Sequence, residues 1–517
     1  MDKRKLRLGP LLPVFLVLVV WPATAQAHLK PQNGKKAISY QFMSRLTAAI
    51  VASCLYVFCA TAETEEKPSS SAGADADADI PQSLWERETL TGDWGGVRSR
   101  LADKGLEFET TYTGEFLANV HGGARTGELY QGLLRSDLNL DIEKAGGWKG
   151  GVFHVSGLWI AGSEPNSRND IAGMTGVMYL EPSNISAYDT VRLYELWLEQ
   201  SFLEDRLSIR AGQIAVDERC HCSDYAGVFI SGTHGWPAFM SALIPNGGPA
   251  YPVAGTGVMV TGRPHEQIEL VAAVVDGDVE DQSTESRHGT HFGFGHGNGV
   301  LALFEAIRRC NYEKGATGHP GVFKIGAWFH SGDFDDLRFD TLGRSLEDDG
   351  TLSGLPSNGV ARSHPDNGGV YFNVDQMLWR EKADSDEGLG LYGRVAPWMP
   401  EDRNPVDFYV AGGVTYKGLL PTRDQDTFGV AASYVATSDG LRDRQRDANA
   451  IIALGGTPNT LGEGPVPDYE MALEITYQIV LTPWWSLQPD FQYIFHPGGS
   501  TALQDSVVLG LRTTISF

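Results

Sequence analysis

From Ser506 to Phe517 the side chains take turns: Val507, Leu509, Leu511, Thr513, Ile515 and Phe517 share one face, while Val508, Gly510, Arg512, Thr514 and Ser516 share the other. A strand of about ten residues with an apolar face and a polar back suits a closed sheet in lipid, where every backbone N–H and C=O must find its partner within the sheet. The same alternation recurs near the start of the chain. Leu106, Phe108, Thr110, Tyr112, Gly114 and Phe116 oppose Glu107, Glu109, Thr111, Thr113 and Glu115, and Leu134, Leu138, Leu140 and Ile142 oppose Arg135, Asp137, Asn139 and Asp141. Such charged rows cannot be buried on both sides, so one face of each strand meets water. Further strands are predicted to begin near Gly151, Val191, Arg206, Gly257, Gln267, Gly299, Gly321, Val370, Gly388, Val406, Asp426, Glu470 and Trp485, which with the three above make sixteen in all. The fold this predicts is all-β: a 16-stranded antiparallel transmembrane β-barrel over residues 106–517, with a short N-terminal periplasmic helix.

Connector lengths support the pattern independently. Compact connectors follow predicted strands 2, 4, 6, 10 and 14, such as Leu203 to Asp205, and mostly long ones follow strands 3, 5, 7, 9 and 13. Short periplasmic turns and long outer loops are the signature of porin-type barrels. A barrel of this size has too few apolar residues left to fill it, so its interior should hold water. Trp159, Trp379, Trp398 and Trp485 fall near predicted strand ends, where aromatic girdles sit.

The amino end reads as export and lead-in. Residues 1–62 form a leader with two apolar runs, Leu11 to Trp21 and Leu46 to Ala60, each behind basic residues and ahead of a small-residue site. One secretory signal suffices, so Met43 is predicted to be the true start and 43–62 the signal peptide. Residues 63–83 are acidic and rich in Ser, Ala and Pro, as expected of a disordered linker. Residues 84–105 form a periplasmic segment in which Asp93 is the expected N-cap and Trp94, Val97 and Leu101 the apolar stripe of a short helix. Beyond the leader no apolar run is long enough for a membrane helix.

Of 41 basic and 65 acidic residues, eight and one lie in 1–62, leaving 33 and 64 and a net charge of −31. That excludes nucleic acid as a partner on charge grounds. Two of the five cysteines, Cys54 and Cys59, lie in the leader; Cys220, Cys222 and Cys310 make no disulfide framework. Cys220-His221-Cys222 has a metal-like look but lacks the second ligand pair of a soft structural site, and an exposed loop is expected there. Asp276, Asp278, Glu280 and Asp281, and His288, His291 and His296, are read as solvated outer-loop clusters rather than metal sites. No cofactor is expected, and no nucleophile elbow or phosphate loop suggests an enzyme.

The hairpin around Leu203 carries the chemistry. Glu195, Trp197 and Glu199 alternate with Tyr194, Leu196 and Leu198, and Ser208, Arg210 and Gly212 alternate with Leu207, Ile209 and Ala211. The apolar sets, Tyr194 among them, are assigned to lipid, and Arg210 then lies across from Trp197 or Glu199. With Arg135 and Asp137, these are the expected pore-lining residues: charged groups hydrogen-bond hydroxyls, and a ring can stack on the apolar face of a sugar.

Leu90-Thr91-Gly92-Asp93-Trp94-Gly95-Gly96-Val97-Arg98, Leu101-Ala102-Asp103-Lys104-Gly105, Arg192 to Gln200, Ala211-Gly212-Gln213, Ser223-Asp224-Tyr225-Ala226-Gly227 and Gly235-Trp236-Pro237 together resemble the carbohydrate-selective porins of the OprB type. The resemblance spans about Leu84 to Phe517. It implies an outer-membrane barrel that passes monosaccharides such as glucose by facilitated diffusion through a constriction of charged and aromatic residues. Cys220-His221-Cys222, and His234 before Gly235, depart from the family pattern. Carbohydrate solutes and outer-membrane lipid are the expected partners, with the barrel assembly machinery engaging the C-terminal Phe517 and a homotrimer as one candidate assembly. The apolar, Pro/Gly-rich stretch Pro237 to Val253 is expected to fold inward and narrow the pore. Competing readings are a general diffusion porin, a barrel enzyme of the outer membrane and a secreted sugar-binding protein.

Overall fold

The computed structural model describes residues 83–162, 168–279, 287–290, 292–293, 299–313, 316–382 and 385–517. The leader, nearly all of the linker, and Glu280, Asp281, His291 and His296 lie outside the described residues. Within them, α1 (Val97–Asp103) precedes β1 (Leu106–Gly123), β2 (Gly127–Asp141), α2 (Ile142–Gly146), β3 (Gly151–Ala161), α3 (Ile171–Thr175), β4 (Thr190–Phe202), β5 (Leu207–Ile214) and α4 (Ala238–Leu243). Next come β6 (Gly255–His265), β7 (Ile268–Asp276), β8 (Val300–Cys310), β9 (Gly321–His330), β10 (Phe334–Asp340) and β11 (Ala361–His364). The chain ends with β12 (Asn367–Arg380), β13 (Gly388–Trp398), β14 (Val406–Lys417), β15 (Thr427–Thr437), α5 (Asp439–Ala453), β16 (Tyr469–Thr482), β17 (Trp485–Phe495) and β18 (Gln504–Ser516). Every strand but β10 and β11 joins one closed antiparallel barrel of sixteen; those two form a small sheet of their own in the connector after β9.

Closure comes from β1 and β18, paired from Thr111↔Ser516 to Gly123↔Gln504. The alternation read from the sequence sets which face is out. Phe116, Leu509 and Leu511 are 44%, 46% and 48% exposed, whereas Glu115 and Val508 on the opposite face are fully buried. Trp159, Trp379 and Trp398 are exposed near strand ends, at the level where indole rings favour the lipid boundary. The turns at 203–206, 266–267 and 483–484 are tight and lie at one end of the barrel, as do both the start of β1 and the end of β18. This is the periplasmic end expected of such barrels.

The helix near the amino end starts later than the sequence suggests. Gly95 and Gly96 have φ of 66° and 83° and Trp94 has φ of 52°, so the chain turns through the left-handed region and Gly96, not Asp93, is the N-cap. Asp93 still helps: its Oδ1 accepts the Ser99 N–H at 2.8 Å. The helix latches the barrel seam. Arg98 donates to the Phe517 carbonyl at 3.0 Å and to the Phe108 carbonyl at 2.8 Å, while the Phe517 N–H reaches the Thr110 carbonyl at 2.8 Å.

Outside the wall, the connectors after β9 and β15 are tied to each other. Arg338 donates to Asp447 at 2.9 and 3.0 Å and to Asp443 at 2.7 Å on α5, and Arg444 donates to Glu347 at 2.7 Å. Burial opposes the charge on Glu347, but the Thr460 hydroxyl, the Leu461 and Thr460 N–H groups and Arg444 outweigh it and hold the carboxyl below the usual glutamate range.

Candidate permeation site

Two connectors fold into the barrel, and carboxylates on the wall hold them by their backbones. Glu470 of β16 accepts N–H groups from Met178, Tyr179 and Leu180 at 2.9, 3.0 and 2.7 Å, all from the connector after α3, and that of Gly498 at 2.9 Å. The connector between β5 and β6 is held all around the wall. Glu195 takes the Ala215 N–H at 3.1 Å, Glu305 that of His221 at 2.7 Å, Asp375 that of Asp224 at 3.0 Å, and Glu474 those of Ile230 and Ser231 at 2.6 and 3.1 Å. A buried N–H without a partner is costly, so a ring of inward carboxylates fixes an irregular backbone within the barrel. Pro237 to Val253 does fold inward: Phe239, on α4, is fully buried with its ring 5.3 Å from that of Tyr409 and 6.2 Å from that of Tyr371. The two connectors meet where the Asn184 N–H donates to the Ile230 carbonyl at 2.8 Å. A cavity of about 190 Å³ lies against both, lined by Asn184, Asp217, His221, Ser223, Phe229 and Trp236 among others. That is roughly thirteen to nineteen times the ~10–15 Å³ one water needs.

The residues singled out from the sequence form two charged groups, one on β2 and the other across β4 and β5, with β3 between them. Arg135 donates to Asp137 at 2.9 and 3.1 Å and to Glu218 of the β5–β6 connector at 2.5 Å; its side chain is 30% exposed and that of Glu218 is 36%. Glu199 pairs directly with Arg210 in the register, and Arg210 Nε donates to it at 2.8 Å. Arg210 also lies 3.7 Å above the Trp197 ring. His154 stacks on Trp197 with centroids 4.6 Å apart and planes inclined by 15°. Glu195, bonded to Ala215, lies 3.6 Å from His154 Nε2.

Residues 125–517 match the family described as carbohydrate-selective porin, OprB family. The chain belongs to that family. It is 26% identical over 466 residues to Porin B of Pseudomonas aeruginosa, an alignment covering 86% of this chain and 94% of that relative. Among solved structures, that of Pseudomonas putida OprB at high pH superposes with a TM-score of 0.74 at 22% identity, covering 84% of this chain and all of the other. This OprB-family protein is therefore an outer-membrane channel for carbohydrates, not an enzyme.

Three details of this porin differ from what its sequence suggests. Tyr194, assigned to the lipid face, points inward: it is fully buried, sits under Arg135 at 5.5 Å and packs on Tyr251. A register shift between β3 and β4 at Val155/Gly157 lets both Tyr194 and Glu195 turn inward, because one extra residue reverses the facing of everything beyond it. Trp197 is no open platform, since His154 covers one face and Arg210 lies over its ring as well. Cys220-His221-Cys222 is not an exposed loop: Cys220 and His221 are each 1% exposed, with His221 stacked on Tyr371 at 3.8 Å and edge-on to Trp236 at 5.3 Å. Among the described residues no cluster of metal-ligating side chains forms. Sequence reasoning missed His154 and Glu218, which arrive from a neighbouring strand and from the connector; Gly157, a glycine within an otherwise regular strand, was the available hint of the bulge.

Proposed function

We propose that this OprB-family porin selects carbohydrates at the paired charges Arg135/Asp137/Glu218 and Arg210/Glu199. The observation that carries this reading is the Arg135–Glu218 contact, about one-third exposed on each side, which sets a guanidinium and a carboxylate from wall and connector side by side. Opposite charges at close quarters offer donors and acceptors together, as a polyhydroxylated solute needs, while the weak, multiple contacts let it leave. In this reading Trp197 and His154 brace Arg210 rather than stack on the solute. In liposomes, glucose-type sugars should drive swelling faster than amino acids of the same size, and equal rates would reduce the protein to a general diffusion pore.

The same reading includes processing and assembly. Cleavage after Ala62 of a signal starting at Met43 predicts a mature amino terminus at Glu63, and mass spectrometry showing His28 there would contradict it. Phe517 is proposed as the residue that the barrel assembly machinery engages, so Phe517→Ala should lower the yield of folded barrel in the outer membrane. A homotrimer predicts native migration at three protomer masses in mild detergent, and migration as one protomer would refute it.

A further inference from the structure

We infer that the periplasmic mouth holds a subsite for an oxyanion, fitted to the carboxylate of an acidic sugar. Three arginines, Arg219 of the β5–β6 connector, Arg263 of β6 and Arg309 of β8, converge on one acid, Glu269 of β7, at 2.5, 2.9 and 3.6 Å. Among the described residues their ion pairs all go to this carboxylate, which leaves the cluster two positive charges in excess within a protein whose overall balance is strongly acidic.

Strand alternation places the cluster in the lumen. Arg309 shares its face with Glu305, which bonds the inward connector at His221, and Arg263 shares its face with Met259, the register partner of Arg210. The cluster lies at the periplasmic end, where Arg263 also donates to the Asp205 carbonyl in the turn between β4 and β5 at 3.0 Å. Glu269 is nearly covered at 9%, whereas Arg263 and Arg309 keep 45% and 42% of their side chains exposed. Arg309 meets Glu269 through one terminal nitrogen only, at a distance too long for a hydrogen bond. Its planar fork thus faces the channel with donors to spare, and a guanidinium fork matches a carboxylate or phosphate edge-on. A neutral sugar gains little from this excess charge. A sugar acid gains a second foothold below the charged pairs proposed above. The subsite depends on the barrel and not on those pairs.

The test compares gluconate with glucose, two solutes of one carbon skeleton, in proteoliposomes at low salt. The variant is Arg263→Gln with Arg309→Gln, which leaves the short Arg219–Glu269 pair intact and so orphans no buried charge. The gluconate-to-glucose rate ratio should fall roughly threefold or more, and the reversal potential in a KCl gradient should move toward cations. An unchanged ratio and potential would overturn the subsite. In wild type the preference should collapse at about 1 M salt, where the screening length is ~3 Å, and its persistence would contradict the electrostatic origin. Inorganic phosphate serves as the second probe: competition with gluconate in wild type and not in the variant supports the shared oxyanion chemistry, and equal competition in both contradicts it. Should the double variant not reach the heat-modifiable folded form, Arg309→Gln alone carries the same comparison. If glucose shows no selectivity while gluconate transport still depends on Arg263 and Arg309, the glucose reading fails and the subsite stands.

Discussion

Replacing Glu470 by Gln isolates the role of the wall carboxylates. Oε1 of Glu470 accepts the Tyr179 and Leu180 N–H groups and Oε2 those of Met178 and Gly498. The amide keeps one oxygen for two of these donors and turns an NH2 group, itself a donor, toward the other two. Hydrogen bonds to a charged partner contribute about 1.5–3 kcal/mol each, so losing two costs roughly 3–6 kcal/mol. Water entering the lumen would bring the effect toward the lower figure. At tenfold per 1.4 kcal/mol, about 3 kcal/mol raises the opening equilibrium of this connector roughly a hundredfold. Hydrogen exchange read at the amides of 178–180 should accelerate by that order, while the β16 ladder amides stay protected. Single-channel records should gain open-state flicker. Protection at 178–180 within a factor of a few of wild type would refute the idea that the carboxylate holds the connector inward.

Other expectations follow from the same geometry. Arg210→Ala removes the partner of Glu199 and the cover of Trp197, and should weaken sugar block of the current about tenfold or more, the equivalent of the ~1.5 kcal/mol or more that one charge-assisted hydrogen bond contributes; unchanged block would move the path elsewhere. Gly326→Ala would set a methyl 1.9 Å from Cζ of the fully buried Tyr371, and overpacking of this kind typically costs about 1–3 kcal/mol, visible as a lower denaturant midpoint for the folded barrel. The outer connectors should answer to acid. Glu347 titrates below its ordinary value of 4.5 in the folded state, so its contribution is complete above that pH and is lost as pH falls through the lowered value; proteolysis within 443–461 should stay slow from neutrality to pH 5 and quicken in stronger acid.

Much of the wall was legible because lipid outside and water inside impose period two on every strand. Sixteen strand positions could therefore be read from alternation alone. The interior was legible only in part. Pro237 to Val253 betrayed itself by being apolar in a long connector, but the carboxylates that hold the earlier part of that connector, Glu305 at His221 and Glu474 at Ile230 and Ser231, look on the strands like ordinary lumen charges. Tyr194 was misplaced because a bulge shifts facing by one residue, and no local pattern around it marks the inserted position except Gly157 on the next strand. Trp197 looked available for stacking because its coverers, His154 and Arg210, lie on the two adjacent strands. Register brings them together, and register is a property of the closed sheet. The helix α5 and the small sheet of β10 and β11 were likewise missed, since they lie outside the barrel wall and are tied together by ion pairs between two connectors distant in sequence rather than marked by a local alternation.

The most direct measurement of the central claim is the ion current through single pores in a planar bilayer as glucose is titrated. The paired charges of the lumen predict a saturable fall in current with glucose, and a much weaker fall with an amino acid of the same size at equal concentration. Currents that ignore glucose, or that fall equally with both solutes, would contradict it.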